Sequence, residues 1–437
     1  MSMNSQQELI EIETNIINYF NQRVNNLPGN KEVQAIRRRA IELFQKTKLP
    51  SRKIENWHYT NLRTLLKSVS DFSEINNQEF INPLLSENII FAIQNGKVFT
   101  QSKIANIIVK KIAELLEEND TKIIDQVISD DDFIGQLNTA FVTDGWIFQI
   151  PENTKLDVPI ELQNIQMSGQ SHIFSEIKVG KKSQVTMIER QIGNDQNSLV
   201  SSICLLHVAA HSDVTWILIQ DRGVNSTQFG RFRAVLGENA KLSLYIINIG
   251  SQLNRQEIDI ELQEKEANFQ LRVINLLSGQ THSDITMNVL HAEEASTSTE
   301  IIRNVITDKA HGVFQGMIRV AKKAQKTDAR MACNSLILSD DAEFDAKPEL
   351  EIFADDVSCG HGATVTKINR DHLFYLMARG ISFKMARALI IKGFVSELID
   401  DINQDDVQII LDNILGNWLN KNISKEKNGK SHTNIEL

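Results

Sequence analysis

Cys359 and His361 are the two side chains of this sequence whose types and spacing most clearly suggest chemistry. They stand two residues apart in the segment Lys347–Val365, KPELEIFADDVSCGHGATV. Residues two apart in an extended chain project to the same side, and a thiolate beside an imidazole suits iron or zinc. Such ions usually take four ligands, so two leave the site incomplete. The spacing is equally compatible with a half-buried cysteine beside a histidine that hydrogen-bonds a turn.

Cys333 is a further candidate ligand. It precedes Cys359 by 26 residues, which is close to the repeat described below, so coils stacked in register would bring the two thiols near each other. An inert core cysteine would fit the same position, and both interpretations stay open. With Cys204, the chain has three widely spaced cysteines, too few for a disulfide framework. We therefore expect reduced thiols and a cytoplasmic location.

His207 and His211 form the other pair at a metal-binding spacing, four residues apart. The residues between them are Val-Ala-Ala, without the glutamate that acts as general base in zinc peptidases, so surface histidines are the favoured interpretation. The sequence contains no phosphate-binding loop, no GxGxxG and no GxSxG. We therefore predict neither a nucleotide site nor a serine nucleophile on this chain.

The bulk composition predicts a soluble globular protein and excludes two classes of partner. Hydrophobic residues make up 41% and charged residues 23% of the 437 residues, as is usual for such proteins. A net charge of -10 disfavours nonspecific binding to nucleic acid or to an anionic membrane, since both need a basic surface. The polar, acidic start predicts no signal peptide, and no apolar run approaches the roughly 18 residues of a membrane span.

Residues 145–368 show a repeat that predicts a parallel β-helix. Short segments rich in β-branched and aromatic residues recur at steps of 27 to 29 residues. A fixed period with two short strands in each unit is typical of a solenoid. We predict a right-handed parallel β-helix of seven or eight coils, filled by stacked apolar side chains. The small residues that begin its repeats are Thr154, Ser183, Ser212, Ala240, Ala267, Ala295 and, more faintly, Ala324.

Residues 1–144, before the repeat, are predicted to be mainly helical. Apolar residues fall at helical spacing in residues 6–20, 31–46 and 101–119, and Thr60 is placed to cap a further helix.

Residues 369–423, after the repeat, form a second predicted helical region. Gly380 suits the C′ position of its first helix and Ser382 the N-cap of the next. In that next helix Ile390, Phe394 and Leu398 repeat every four residues, so one face must be covered. Residues 424–437 are polar and are predicted to be a disordered tail.

Three segments of the chain resemble the SufD family, the scaffold subunits of the Suf iron–sulfur assembly machinery. The most specific is DAKPELEIFADDVSCGHGATV, followed by LFYLMARGIS and a helix ending near GFVSELI. GVFQGMIRVAKKAQKTDA (Gly312–Ala329) is similar to the family's late β-helix coils, and the resemblance spans nearly the whole chain. Near the N terminus, SRKIENWHYTNL is similar to a family element that here comprises Arg52, Glu55, Trp57, Tyr59 and Thr60.

The resemblance implies a scaffold without enzymatic activity of its own. Such chains pair edge to edge with a SufB-like subunit through their β-helices and bind a SufC-like ATPase through their C-terminal helices. His361 matches the family's interface ligand, with Cys359 beside it, so a nascent iron–sulfur cluster would be transient and shared with SufB. No nucleotide is expected on this chain, and a homodimer is expected of the isolated chain. The residues expected to bind the ATPase are Phe374, Arg379, Gly380, Ile390, Phe394 and Leu398.

Three alternatives remain beside this interpretation. The first is the sibling SufB, whose junction usually reads Glu-His-Glu-Ala and which carries further cysteines; both differences favour SufD, although ACNSLIL around Cys333 is similar to the sibling's QCxSxLIG. The second is a purely structural protein that positions the ATPase without binding iron. The third is an enzyme acting on a polymer, which would need an array of carboxylates and basic residues on one β-face, and the sequence shows no such array.

Overall fold

The computed structural model describes residues 9–73, 81–118, 121–402 and 404–423. Two long sheets face each other as the walls of a parallel solenoid, with helices before and after it. This confirms the predicted β-helix core and its helical flanks. The predicted tail, residues 424–437, lies outside the described residues.

From β4 onward the chain alternates between the two sheets, so that successive strands of one sheet are parallel neighbours one coil apart. We call the sheets A and B. From its last edge, sheet A contains β19 (Ser358–Lys367), β17 (Asp328–Ile337), β15 (Thr297–Ile306), β13 (Asn268–Leu277), β11 (Lys241–Asn248), β9 (Asp213–Asp221), β7 (Gln184–Gly193), β5 (Ile160–Gln166), β1 (Ile89–Gln94) and β2 (Lys97–Gln101). Sheet B contains β18 (Glu343–Ile352), β16 (His311–Val320), β14 (His282–His291), β12 (Leu253–Leu262), β10 (Ser226–Leu236), β8 (Ser198–Val208), β6 (Gly169–Val179), β4 (Asp144–Ile150) and β3 (Ile108–Lys111).

One corner of each coil combines a left-handed residue with a buried small residue. The left-handed residues, with φ between 51° and 60°, are Asn153, Lys182, His211, Asn239, Glu266, Ala295 and Lys326. The small residue that follows is buried in the later coils, as with Ala240 and Ala267. The sequence repeat was therefore misplaced twice: the equivalent residues are Ser296 and Thr327, not Ala295 and Ala324. Ala295 is itself the left-handed residue of its corner, and the last corner, residues 321–327, is longer than the earlier ones.

A ladder of amide side chains runs along the interior of sheet A. Each amide is in register with the next, one coil further on, and hydrogen bonds join neighbours: Asn275 Nδ2 donates to Asn304 Oδ1 at 2.7 Å, and Asn248 Nδ2 to Asn275 Oδ1 at 3.3 Å. Where neighbouring amides bond, one buried polar group satisfies another, as burial of polar groups requires. The ladder comprises Asn164, Gln191, Gln220, Asn248, Asn275 and Asn304.

Asn275→Ala is expected to lower the free energy of unfolding by about 2–4 kcal/mol. The change leaves the acceptor of Asn304 unpaired and opens a cavity, and both effects cost stability. Thermal unfolding followed by circular dichroism measures the loss. Gln184→Ala, at an exposed position that begins β7, is the control and should stay within about 0.5 kcal/mol of the parent. Equal unfolding midpoints for the two variants would show that the ladder contributes nothing.

The N-terminal helices pack on the outer face of sheet B. They are α1 (Glu11–Arg23), α2 (Lys31–Thr47), α3 (Leu62–Leu65), α4 (Ile112–Glu117) and α5 (Phe133–Phe141). Their apolar sides share one core with outward residues of the sheet such as Phe229 and Ile203. The prediction of a helix over residues 101–119 was wrong except for α4. The end of β2 and all of β3 lie in the part of this range before α4, where they extend the two sheets.

The N-terminal family element docks on later coils of sheet B. Trp57 is buried, and the guanidinium carbon of Arg255 lies 3.8 Å from the centre of one of its rings. Thr60 donates to Asp284, which also pairs with Arg255. Lys347, on the last strand of sheet B, lies 2.9 Å from a carboxylate oxygen of Glu55. The element therefore ties the N-terminal region to the end of the solenoid.

Among the residues that the structure describes, three helices follow the solenoid: α6 (Arg370–Ala378), α7 (Phe383–Asp400) and α8 (Asp405–Ile423). Asn369 caps α6, accepting from the backbone N–H of Asp371, and Ser382 caps α7, accepting from that of Met385. Helices α7 and α8 lay their apolar faces on the outer side of sheet A. Helix α6 has no buried residue.

Candidate functional site

The last coil of the solenoid ends in two strand edges, β18 and β19. Each has a strand neighbour on one side only within the described chain. Apolar side chains there are open to solvent: Val365 is 51% exposed and Phe353, just after β18, 60%. An unpaired edge with exposed apolar side chains is a ready template for pairing with another chain.

Cys359 and His361 lie on this edge, and both are in register with interior residues of β17. Cys359 is the partner of Ala329 and His361 the partner of Met331, and both of these β17 residues are buried. Cys359 is half-buried against the solenoid core, whereas His361 is exposed. The thiol and the imidazole therefore belong to the same face of the last coil, at the open end of the interior.

Burial raises the pKa of the Cys359 thiol, and the nearby carboxylates of Asp328 and Glu300 raise it further. A hydrogen bond with the backbone of Ala329 acts in the opposite direction. These surroundings favour the protonated thiol. A metal ion favours the thiolate by its charge, so ion binding here would release a proton.

Cys333 lies inside the solenoid and is in register with Ala363, not with Cys359. Its side chain is fully buried, and Asn304 Nδ2 donates to its Sγ at 3.5 Å. Burial raises the pKa of this thiol to about 12. Its surroundings are those of an inert core cysteine, and its role as a ligand stays a prediction.

Glu300 is a buried carboxyl near this end of the solenoid that the sequence interpretation missed. It is in register with Met331, which is in register with His361 on the last strand. The side chain is fully buried, and neither carboxyl oxygen has a hydrogen-bond partner of good geometry within the described chain. Burial raises its pKa to about 8, although the neighbouring Ser298 hydroxyl lowers it. Alternation in TSTEII does not reveal which face is inside, so the sequence offered no signal.

Among the described residues, no group of three or more His, Cys, Asp or Glu side chains is placed to hold a metal ion. Cys359 and His361 therefore offer two donors at a solvent-exposed edge. A complete ligand set would need donors from outside this part of the chain.

The predicted partner-binding residues fall into two groups. Phe374 on α6 is 74% exposed; Arg379 lies 4.3 Å from the ring centre of Tyr375, and Gly380 has φ 85° in the turn before α7. A cleft of about 710 Å³ lies between α6 and the last coils. We call the exposed apolar surface formed by Phe374, Tyr375, Met377, Phe383, Met385 and Leu389 the α6–α7 face.

The second group lies on α7 and points toward the solenoid. Leu398 is buried against sheet A, and Ile390 and Phe394 are half-buried. Buried residues such as Ile391 and Val395 share that side of the helix. The periodicity of this helix is thus accounted for by packing within the chain, and partner binding by these three residues stays a prediction.

The histidine pair at positions 207 and 211 is split between a strand and a corner. His207 projects outward from β8, with Nε2 3.4 Å from a carboxylate oxygen of Glu176. His211 occupies a left-handed corner with φ 60°. This agrees with the interpretation of both as surface histidines.

No helix in the described part of the chain is long and apolar enough to cross a membrane.

Two family models match the chain. Residues 164–394 match the SufBD core domain of SUF system FeS cluster assembly, and residues 10–162 match the SufBD protein N-terminal region. The first match covers most of the solenoid, the edge with Cys359 and His361, α6 and part of α7.

Similar proteins from three bacteria cover most of the chain. An iron-sulfur cluster assembly SufBD family protein of Synechocystis is 26% identical, over 87% of this chain and 94% of its own length. The iron-sulfur cluster assembly protein SufD of Escherichia coli is 26% identical, over 84% and 89%. SufD of Bacillus subtilis is 24% identical, over 85% and 91%.

Proposed function

Because this chain belongs to the SufBD family of the SUF system for FeS cluster assembly, we propose that it is a SufD-like scaffold subunit. In this proposal the edge formed by β18 and β19 pairs with a SufB-like chain, and Cys359 and His361 supply ligands to a cluster that forms between the two. The cluster is cargo shared with the partner. The observation that carries the proposal is the position of both donors on one interior face at an uncovered strand edge.

The α6–α7 face is the proposed docking surface for a SufC-like ATPase. It combines six large apolar side chains that are each at least 45% exposed, and exposed apolar patches of this kind mark interaction sites. The cleft beneath α6 leaves that helix room to shift when a partner binds. The chain itself would carry no nucleotide and catalyse no reaction, and it would work in the cytoplasm.

Co-purification from the source cells tests this assignment. A tagged chain should bring down a SufB-like protein and an ATPase with a Walker motif, identified by mass spectrometry. Isolation as a lone monomer loaded with metal would contradict the proposal.

Phe374→Asp is expected to lower the recovery of the ATPase in this experiment by at least about tenfold. A charge at the centre of an apolar interface removes a hot spot, which is commonly worth about 2 kcal/mol or more. Ile409→Asp is the matched control, because Ile409 on α8 is 59% exposed but lies outside the α6–α7 face. Recovery of the SufB-like chain should be unchanged in both variants. Equal ATPase recovery with the two variants would place the docking surface elsewhere.

A further inference from the structure

Arg303 joins the helix α7 to the outer face of sheet A through side-chain contacts. From β15, its Nη2 lies 3.4 Å from Oε2 of Glu397, and its guanidinium carbon lies 5.3 Å from the ring centre of Phe394. Its Nη1 donates to Oδ1 of Asn334 on the next strand, β17. One side chain therefore contacts the helix and the sheet at the same time.

Asn334 also contacts the last strand of sheet A. Its Nδ2 donates to Oγ1 of Thr364 on β19 at 2.6 Å. Arg303, Asn334 and Thr364 are in register across the three strands, so the contacts form a straight line from β15 to β19. Glu397 and Thr364 are thereby connected through two side chains.

Ile368, directly after β19, packs against the apolar cluster that includes residues of α7 and α8. A further connection between the helices and β19 runs along the backbone through α6. That helix has no buried residue, and it borders the cleft of about 710 Å³. Movement of a helix that is so loosely packed is poorly transmitted, because coupling needs contiguous contacts. The line through Arg303 and Asn334 is the connection that side-chain hydrogen bonds make to β19 itself.

Arg272 provides an internal comparison one coil earlier. Its Nε donates to a carboxylate oxygen of Asp401, at the end of α7, at 2.7 Å, and its Nη1 donates to the carbonyl of Thr299 on β15 at 2.9 Å. It therefore ties the same helix to sheet A, but these contacts end two strands before β19.

We propose that Arg303 and Asn334 are positioning residues that couple the placement of α7 to the placement of β19, the strand that carries Cys359 and His361. A partner that moves α7 would then shift the two donors. The biological role rests on the proposed function, whereas the coupling is a property of this chain and is measurable without any partner.

Hydrogen–deuterium exchange of the full chain, followed by mass spectrometry of peptides from β19, tests the coupling. Glu397→Gln is expected to speed exchange in residues 358–367 a few-fold, as suits an exposed ion pair of modest strength. Arg303→Gln should speed it by about tenfold, since it also removes the contact with Asn334. Arg272→Gln is the matched control: it should loosen α7 and leave β19 unchanged.

A double-mutant cycle separates coupling from general loosening. In an Asn334→Ala background, where the line to Thr364 is already broken, Glu397→Gln should no longer affect exchange in β19. An effect of the same size in both backgrounds, or an Arg272→Gln variant that speeds β19 as much as Arg303→Gln, overturns the proposal.

Iron–sulfur enzyme activity in cells carrying the same variants distinguishes a failure of the proposed function from a failure of the proposed coupling. If the exchange results hold but the wild-type chain does not support cluster maturation, the proposed function fails and the coupling stands. If maturation depends on the chain but the exchange cycle shows no coupling, only the coupling fails.

Discussion

Replacing His361 by alanine is expected to reduce cluster maturation in cells to the level seen without the protein. The imidazole is exposed on the open edge of the last coil, and the described chain offers there only the neighbouring Cys359 as a second donor. Losing one of two donors leaves a single thiol and halves this chain's contribution to the shared ligand set. The activity of an iron–sulfur enzyme in a strain that depends on this chain measures the result.

The protein itself should remain intact in that variant. Because His361 contributes little buried surface, the unfolding midpoint of the variant and its recovery with the SufB-like chain should match those of the parent. His207→Ala is the control, since it removes a half-exposed histidine from the middle of the solenoid and should leave maturation normal. Normal maturation with His361→Ala would instead favour a purely structural scaffold that binds no iron.

The Glu300→Gln variant is expected to be more stable than the parent at pH 8.5. At pH 5 the difference in stability between the two should be much smaller. An unfolded glutamate ionises near pH 4.5, whereas burial keeps Glu300 protonated in the folded chain up to about pH 8. Between these values the folded state binds more protons, so its stability falls as pH rises. At 1.36 kcal/mol for each pKa unit, the loss is on the order of 4 kcal/mol, and the neutral amide avoids it.

Urea unfolding at several pH values measures this difference. The informative quantity is the change with pH, because an amide in place of a carboxylic acid also alters local hydrogen bonding by a constant amount. Glu238→Gln, at an exposed corner, is the control for the substitution itself. Should the Glu300→Gln variant and the parent keep a constant difference from pH 5 to 8.5, the carboxyl must be ionised and paired in the folded protein.

The architecture was predictable because a solenoid repeats one physical problem in every coil. Each unit must turn a corner and bury one face of two strands, so small residues and alternation recur at nearly fixed steps. The errors arose where that problem changes. Ala295 takes the left-handed position of its corner, and a longer last corner displaces the next equivalent residue to Thr327. The apolar residues before α4 became strands because the first coil had open edges to pair with.

The candidate site was only partly predictable, for a different reason. Cys359 and His361 are neighbours in sequence, and alternation alone places them on one face of a strand. Glu300 and Arg303 act through residues about 30 positions away, on adjacent coils. Such contacts depend on the register between strands, and a one-residue change of register moves a side chain to the opposite face. The sequence pattern defines the period but not that register.

The two ends of the solenoid differ, and the difference sets a limit on assembly. At the first coil, β2 and β3 pair antiparallel with β1 and β4, so they do not present a parallel edge for a further coil. The last coil presents two parallel strand edges, β18 and β19. Copies stacked head to tail would need matching surfaces at both ends, which is how open filaments grow. With one compatible end, stacking through this edge would stop at a pair, either two copies related by a twofold axis or this chain and one relative.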